Sequence, residues 1–163
     1  MKKLRHIMRS GFLFMVQRDA MVTEAVRLMA EYNVGIVIVM DGWRVAGVFS
    51  ERDVARRVVD RGLDPARTCV HDVMTPEVIT ADADEDYQAA MSRMDEANIR
   101  HLLVVDRGVP MSMVSIRDLI RVDLQDKNAE IGSLREYLYQ VPPEIAGRSS
   151  PPPARPGREQ HPM

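Results

Sequence analysis

The chain matches itself at an offset of 65 residues. Residues 25–57 align without a gap to residues 90–122, with 10 identities in 33 positions. The match is sharpest where each copy ends. Gly47-Val48-Phe49-Ser50-Glu51-Arg52-Asp53 faces Ser112-Met113-Val114-Ser115-Ile116-Arg117-Asp118, and both read small–apolar–apolar–Ser–x–Arg–Asp. A duplicated unit that carries a duplicated polar motif predicts two related sites built from one fold.

Hydrophobic periodicity gives each copy the same elements. In the first, residues 13–16 form a short apolar run that reads as a strand. Residues 23–32 read as a helix, with Val22, Ala25, Val26 and Met29 on one face. Residues 35–40 are a continuous, largely β-branched run, the pattern of a strand buried on both faces. Asp41-Gly42 predicts a hairpin turn, residues 45–49 the return strand, and Ser50 the start of a helix running to about Arg61 and stopped by Gly62. The second copy repeats this: strand 78–81, helix 87–97, strand 101–105, a turn at Asp106-Arg107-Gly108, strand 109–114, and a helix from Ser115.

The expected architecture is therefore α+β, with two β-α-β-β-α repeats whose small sheets pack face to face about a pseudo-twofold axis. Residues 1–62 make repeat one, including a lead-in helix over 1–10. A connector spans 63–72 and repeat two 73–123. A terminal helix covers 124–141, and a Pro-rich tail over 142–163 is expected to be disordered. A repeat of roughly 50–60 residues is marginal alone, so the pair is the expected folding unit.

Composition narrows the function. Net charge is −2, which makes no electrostatic case for nucleic acid, although Lys2, Lys3, Arg5, Arg9 and Arg18 precede the first acid. With Cys69 as the one cysteine, no intrachain disulfide can form, and a reducing, cytoplasmic setting is expected. No run approaches the roughly 20 apolar residues of a membrane helix.

The motif has two chemical readings. Ser followed three residues later by an acid is a capping box, in which Ser50 accepts from the Asp53 amide and the acid reaches back to the Ser50 amide. The same geometry suits a ligand. A carboxylate at a strand-to-helix junction can accept two hydrogen bonds from a ribose diol. A helix N-terminus with a nearby Arg favours phosphate. Apolar strand residues such as Val48 and Met113 could sandwich a base.

These features resemble CBS domains, the repeats first named for cystathionine β-synthase, paired as a Bateman module. The chain is most similar to small stand-alone bacterial CBS-pair proteins. The resemblance spans about residues 5–140. It rests on Ile7-Met8 and Val73-Met74-Thr75 opening each repeat, Met29-Ala30-Glu31-Tyr32-Asn33-Val34-Gly35, Val39-Met40-Asp41-Gly42, the Gly47–Asp53 motif, and Asn98-Ile99-Arg100-His101-Leu102. The resemblance implies a regulatory module, not an enzyme, that takes an adenine nucleotide (AMP, ADP, ATP or NAD(H)), or S-adenosylmethionine, in two clefts. It implies a disc-like homodimer with an unknown effector protein as partner. By motif position it assigns the ribose to Ser50 and Asp53 in one cleft and to Ser115 and Asp118 in the other, flanked by Gly47, Val48 and Arg52 and by Met113 and Arg117. It assigns base contact to Thr80, completing the Ser50/Asp53 cleft, and phosphate to Arg100 and His101 beside Asp118.

The copies also diverge. Met15 stands at the place of Thr80, Gly35-Ile36 at the place of Arg100-His101, and Ser112 at the place of Gly47, while Pro110 is expected to disturb the second hairpin. The two clefts should not be equivalent, and Ser50/Asp53 is the favoured adenosine end. His101 reads equally as a satisfied core-edge residue, and the methionines as core. Trp43 in the hairpin turn is expected to be exposed. His71-Asp72 reads as a lone pair without a further ligand at useful spacing, so no metal is expected. No nucleophile, metal cluster or acid–base pair supports a nucleotide-processing enzyme. The other reading is a constitutive dimerisation module whose motif acids are only caps.

Overall fold

The computed structural model describes residues 2–8 and 13–139. The first half holds strand β1 (Met15–Gln17), helix α1 (Val22–Tyr32), strand β2 (Ile36–Asp41) and strand β3 (Arg44–Ser50). The second holds strand β4 (Thr80–Asp82), helix α4 (Tyr87–Glu96), strand β5 (His101–Asp106) and strand β6 (Val109–Ser115). Every strand boundary recurs at the 65-residue offset. Each half is one three-stranded sheet, ordered β1-β2-β3 and β4-β5-β6, with the first pair parallel and the second antiparallel. The fold is thus α+β with two small mixed sheets, as the repeat pattern predicts.

Local detail is duplicated as well. Each hairpin carries a register shift, between Val39 and Met40 in one and between Val104 and Val105 in the other. Pro110 pairs with Val105 just past this shift. The first hairpin bulges at the same place without a proline, so Pro110 occupies an existing irregularity and does not disturb the ladder. The first turn is one residue later than expected: Asp41 pairs with Arg44, which leaves Gly42 (φ 60°) and Trp43 at the tip. Trp43 is fully exposed. Helices α1 and α4 are both followed by an asparagine in the left-handed region, Asn33 (φ 52°) and Asn98 (φ 50°), the residue after glycine that best tolerates such a helix end.

Each half has its own core between sheet and helix, and each core is closed by a piece of the other half. Leu4, fully buried near the N-terminus, packs with Ala81, Tyr87, Met94 and Leu102 of the second half. Val70 and Val73, from the stretch ahead of repeat two, pack with Val22, Met29, Val39 and Phe49 of the first. The backbone pairings correspond. The Leu4 and Arg5 amides donate to Glu85 and Ala83, and the Val70 and His71 amides donate to Ala20 and Arg18. Ile38 and Leu103, at one register position of the two central strands, are buried but belong to neither core. Each faces a cleft shared with residues of the other half.

The helices depart from expectation in four places. The lead-in is a single 3-10 turn, Leu4–His6, not a helix over 1–10. The helix after Ser50 begins as α2 (Glu51–Asp53) and widens into a π-helix over Val54–Val59, closing with bonds such as Asp60 N to Ala55 O before Gly62 turns at φ 65°. The connector ends in a short helix α3 (Val70–Val73). The closing helix of repeat two and the terminal helix are one element, α5 (Ile116–Tyr139), because nothing between Ile116 and Tyr139 is Pro and its one glycine, Gly132, costs about 1 kcal/mol at most. Residues from Gln125 onward form a separate unit. Of it, residues 125–139 are described and expose Ile131, Leu134, Tyr137, Leu138 and Tyr139. The tail expected over 142–163 lies outside the described residues. Among the described residues, no helix is long and apolar enough to cross a membrane.

Candidate ligand-binding clefts

Both Ser-x-Arg-Asp motifs sit where a strand ends and a helix starts. In the first, Ser50 ends β3 in extended conformation and caps α2. Its hydroxyl accepts from the Asp53 amide at 3.3 Å, and Asp53 Oδ2 accepts from the Ser50 amide at 2.9 Å and from its hydroxyl at 2.8 Å. In the second, Asp118 Oδ2 accepts from the Ser115 amide at 3.3 Å and from its hydroxyl, while the Asp118 amide donates back at 3.2 Å. The capping box is therefore formed twice.

The two carboxylates differ in what reaches their second oxygen. Asp53 Oδ1 accepts from the Thr75 hydroxyl at 3.3 Å and lies 3.6 Å from Arg57 Nη1. Arg57 also donates to the carbonyls of Val73 and Met74, so the Asp53 side chain is tied to the opening of repeat two and is only 12% exposed. Asp118 Oδ1 has, among the described residues, a single long ion pair with Arg121 at 4.0 Å, and its side chain is 45% exposed. The cause is in the sequence: Arg57 corresponds to Val122, which can make no such bond.

A cleft lies beside each motif. The larger, about 590 Å³, is lined by Ser115, Arg117, Asp118 and Arg121, by Phe14 and Ile38 of the first half, and by Met113. The smaller, about 340 Å³, is lined by Val48, Ser50, Arg52, Asp53, Arg56, Arg57 and Thr75, with Ile79 and Leu103 on the apolar side. Gly35, Ile36, Glu51, Arg100, His101 and Met113 line both. His101 is thus common wall. Burial is the main cause that pushes its pKa below the ordinary value. Arg100 adds to this, while Asp118 and Glu51 oppose it.

A model for the CBS domain matches residues 4–60 and 70–125. The chain belongs to the CBS-domain family. It is 33% identical over 126 residues to the mitochondrial CBS domain-containing protein CBSX3 of Arabidopsis thaliana, across 74% of this chain and 61% of that protein. It is 28% identical to the CBS domain-containing protein YhcV of Bacillus subtilis, across 70% and 81%. The chain spans less than two thirds of CBSX3 and 13% of a fission-yeast relative, the meiotically up-regulated gene 70 protein. Among solved structures, a Burkholderia ambifaria protein with CBS domains superposes at a TM-score of 0.73 and 31% identity, over 77% of this chain and 96% of that one. The CBS pair of the protein MJ0100, solved with 5′-methylthioadenosine and S-adenosylmethionine, matches at 0.66 and 20%, over 74% and 98%, a likeness of fold.

Within this CBS pair, the expected site residues fall as follows. Ser50, Val48, Arg52 and Asp53 meet in the smaller cleft, and Ser115, Met113, Arg117 and Asp118 in the larger. Arg100 and His101 reach both. Two residues expected at the clefts are not among the lining residues. Thr80 is exposed in β4, where its carbonyl accepts from Arg93, while Val78 and Ile79 just before it face the smaller cleft. Its counterpart Met15 lines neither cleft, so that divergence does not separate them. Gly47 lies behind Val48, where an added Cβ would stand 2.5 Å from the Thr75 carbonyl. It is there to let Val48 and Thr75 exchange backbone bonds of 2.9 and 2.8 Å. Sequence reasoning gave no site role to Thr75, Glu51, Arg56, Arg57 or Arg121. Arg56 and Arg121 are identical at the 65-residue offset, and that signal could have found them.

Proposed function

We propose that this CBS pair is a regulatory module that binds an adenine nucleotide (AMP, ADP, ATP or NAD(H)), with the larger cleft as the primary site. The observation that carries the reading is the Asp118 carboxylate. Ser115 fixes one of its oxygens, the other has a long contact with Arg121, and the half-exposed residue lines a cleft that also presents Arg100, Arg117 and His101. A ribose diol calls for a held but accessible carboxylate, and a phosphate chain calls for guanidinium groups. Phe14, packed against Tyr32 with ring centres 4.8 Å apart and planes tilted by 35°, offers with Ile38 and Met113 apolar surface for a base. The volume is in the range of small-molecule sites. This shifts the adenosine end from Ser50/Asp53, favoured by the sequence, to Ser115/Asp118, since Thr75 and Arg57 already engage Asp53. MJ0100 is a precedent for adenosine-containing ligands on this fold, without speaking for these residues.

The module acts by binding rather than turnover, and through a homodimer. Its motif acids serve as caps and ligand acceptors, with no nucleophile between them. The second reading, a constitutive scaffold with unfilled clefts, draws support from Asp53, which is fully engaged as a cap.

A thermal-shift panel of AMP, ADP, ATP, NAD(H) and S-adenosylmethionine separates the two. A ligand at 100 times its dissociation constant stabilises a fold by about 2.7 kcal/mol. We expect a rise in Tm with at least one nucleotide, abolished in Asp118→Ala and retained in Asp53→Ala. No rise with any of them would leave the scaffold reading, and measured turnover of a bound nucleotide would overturn the non-catalytic one.

A further inference from the structure

Away from both clefts, the stretch leading into repeat two brings together Cys69, His71 and Asp72. One donor atom from each, a thiol sulfur, a ring nitrogen and a carboxylate oxygen, lies within 4.8 Å of the others. The backbone fixes them there. Cys69 bridges to Met21, and the His71 amide donates to the Arg18 carbonyl at 3.0 Å.

The His71 ring faces an oxygen on each side. Nδ1 is 3.1 Å from the Arg18 carbonyl, a position that only an N–H can fill, and Nε2 is 3.0 Å from Asp72 Oδ1. A neutral imidazole has one N–H. With Nδ1 donating, Nε2 turns a lone pair toward the carboxylate, where a cation can stand between them. A metal ion uses all three groups. Two donors bound at about 2.1 Å in a tetrahedral site stand about 3.4 Å apart, so Nε2 and Oδ1, at 3.0 Å, part by a few tenths of an ångström on binding, while donors as far apart as 4.8 Å close in by about 1 Å. An imidazole held through its other N–H by a backbone carbonyl is the usual support of a metal-binding histidine.

The other half of the molecule secures the same place differently. There the matching stretch carries Lys3 and Arg5, and Asp84 holds them at 3.7 and 2.6 Å. Cys69 and His71 occupy the equivalent positions, where the Met21–Cys69 bridge mirrors the Lys3–Asp86 bridge. One copy is fastened by an ion pair, and the other has metal-binding side chains in its place.

We propose that Cys69, His71 and Asp72 bind one divalent cation of the zinc class through Sγ, Nε2 and a carboxylate oxygen, with water completing the coordination. Thiolate, imidazole and carboxylate together suit zinc or cobalt over magnesium or calcium. All three ligands lie within residues 69–72, and the contact of His71 Nδ1 with the Arg18 carbonyl ties them to the turn before α1. The ion is not part of either cleft, and its test does not depend on nucleotide binding.

Cobalt(II) titration of the full chain under reducing conditions is the test, with zinc as competitor. The expected result is one cobalt per chain, with a thiolate-to-cobalt charge-transfer band that zinc abolishes. Prior alkylation of Cys69 should remove the band, and Cys69→Ser should remove it and weaken binding by about tenfold or more. Zinc should raise the Tm of the wild type and not of Cys69→Ser. A wild-type protein without the band at saturating cobalt, or a band or zinc-induced rise that survives loss of the thiol, would overturn the proposal.

Discussion

At the residue scale, two aspartates with the same motif and the same cap differ in what reaches their second oxygen. Arg57 and Thr75 engage that of Asp53, whereas that of Asp118 has, among the described residues, one long contact with Arg121. Removing Asp53 should therefore cost stability more than binding. A lost cap contact is worth about 0.5–2 kcal/mol, and Asp53→Asn should lower the unfolding free energy by that amount, read from the urea midpoint and its slope. Asp118→Asn should change the midpoint less, since its side chain is half exposed. Equal losses would place both carboxylates in the same structural role. His101 gives a pH prediction. Burial holds its folded pKa below the ordinary 6.5, so on acidification the unfolded chain takes up this proton before the folded one does. Stability contributed by the neutral ring is present above about pH 6.5 and is lost as pH falls toward the folded pKa. His101→Gln should flatten the fall in Tm between about pH 7.5 and pH 5.5. An unchanged slope would show that His101 is not the group responsible.

At the element scale, the hairpins read well from sequence and the helices less so. Continuous β-branched runs bounded by turn residues gave β2, β3, β5 and β6 to within a residue or so. The π-turn at Val54–Val59 has no sequence period of its own, because it shares its side chains with an ordinary helix and differs only in which carbonyl each amide finds. Likewise, a glycine in a strand announces close approach but not to what. Thr75, 28 residues from Gly47, is the answer. Gly47→Ala should push Val48 off the Thr75 carbonyl, because backbone lies 2.5 Å from the new Cβ. A loss of about 1–3 kcal/mol is expected. A neutral effect would show that the Val48–Thr75 bridge contributes nothing to stability.

For the whole molecule, the exchange of lead-in segments makes the halves interdependent. Among the described residues, the buried core partners of Leu4 all belong to the other half. Leu4 fills the core of the half that begins some 70 residues later. Leu4→Ala should therefore destabilise the pair as a buried leucine does, by about 2–5 kcal/mol, although the residue is near the terminus. A change under about 1 kcal/mol would show that the N-terminal turn is dispensable. Ile131, Leu134 and Leu138 repeat at helical spacing on α5 and are 48, 57 and 69% exposed, a face suited to a second copy. Light scattering at micromolar concentration should give a dimer, and replacing the three by Gln a monomer. A wild-type monomer would refute the pairing.

The sequence by itself determined the duplicated unit, its hairpins, the two capping boxes and the family, because each is written in local residue pattern and repeats at one offset. It also brought most cleft residues to notice, since the motif places them at strand ends. Only the tertiary structure decided what engages the second oxygen of Asp53, that Thr75 and not Thr80 meets the smaller cleft, and that each lead-in closes the opposite core. Those facts depend on which segment of one half lies against the other. Such long-range placement comes from burying both cores at once, and no short stretch of residues encodes it.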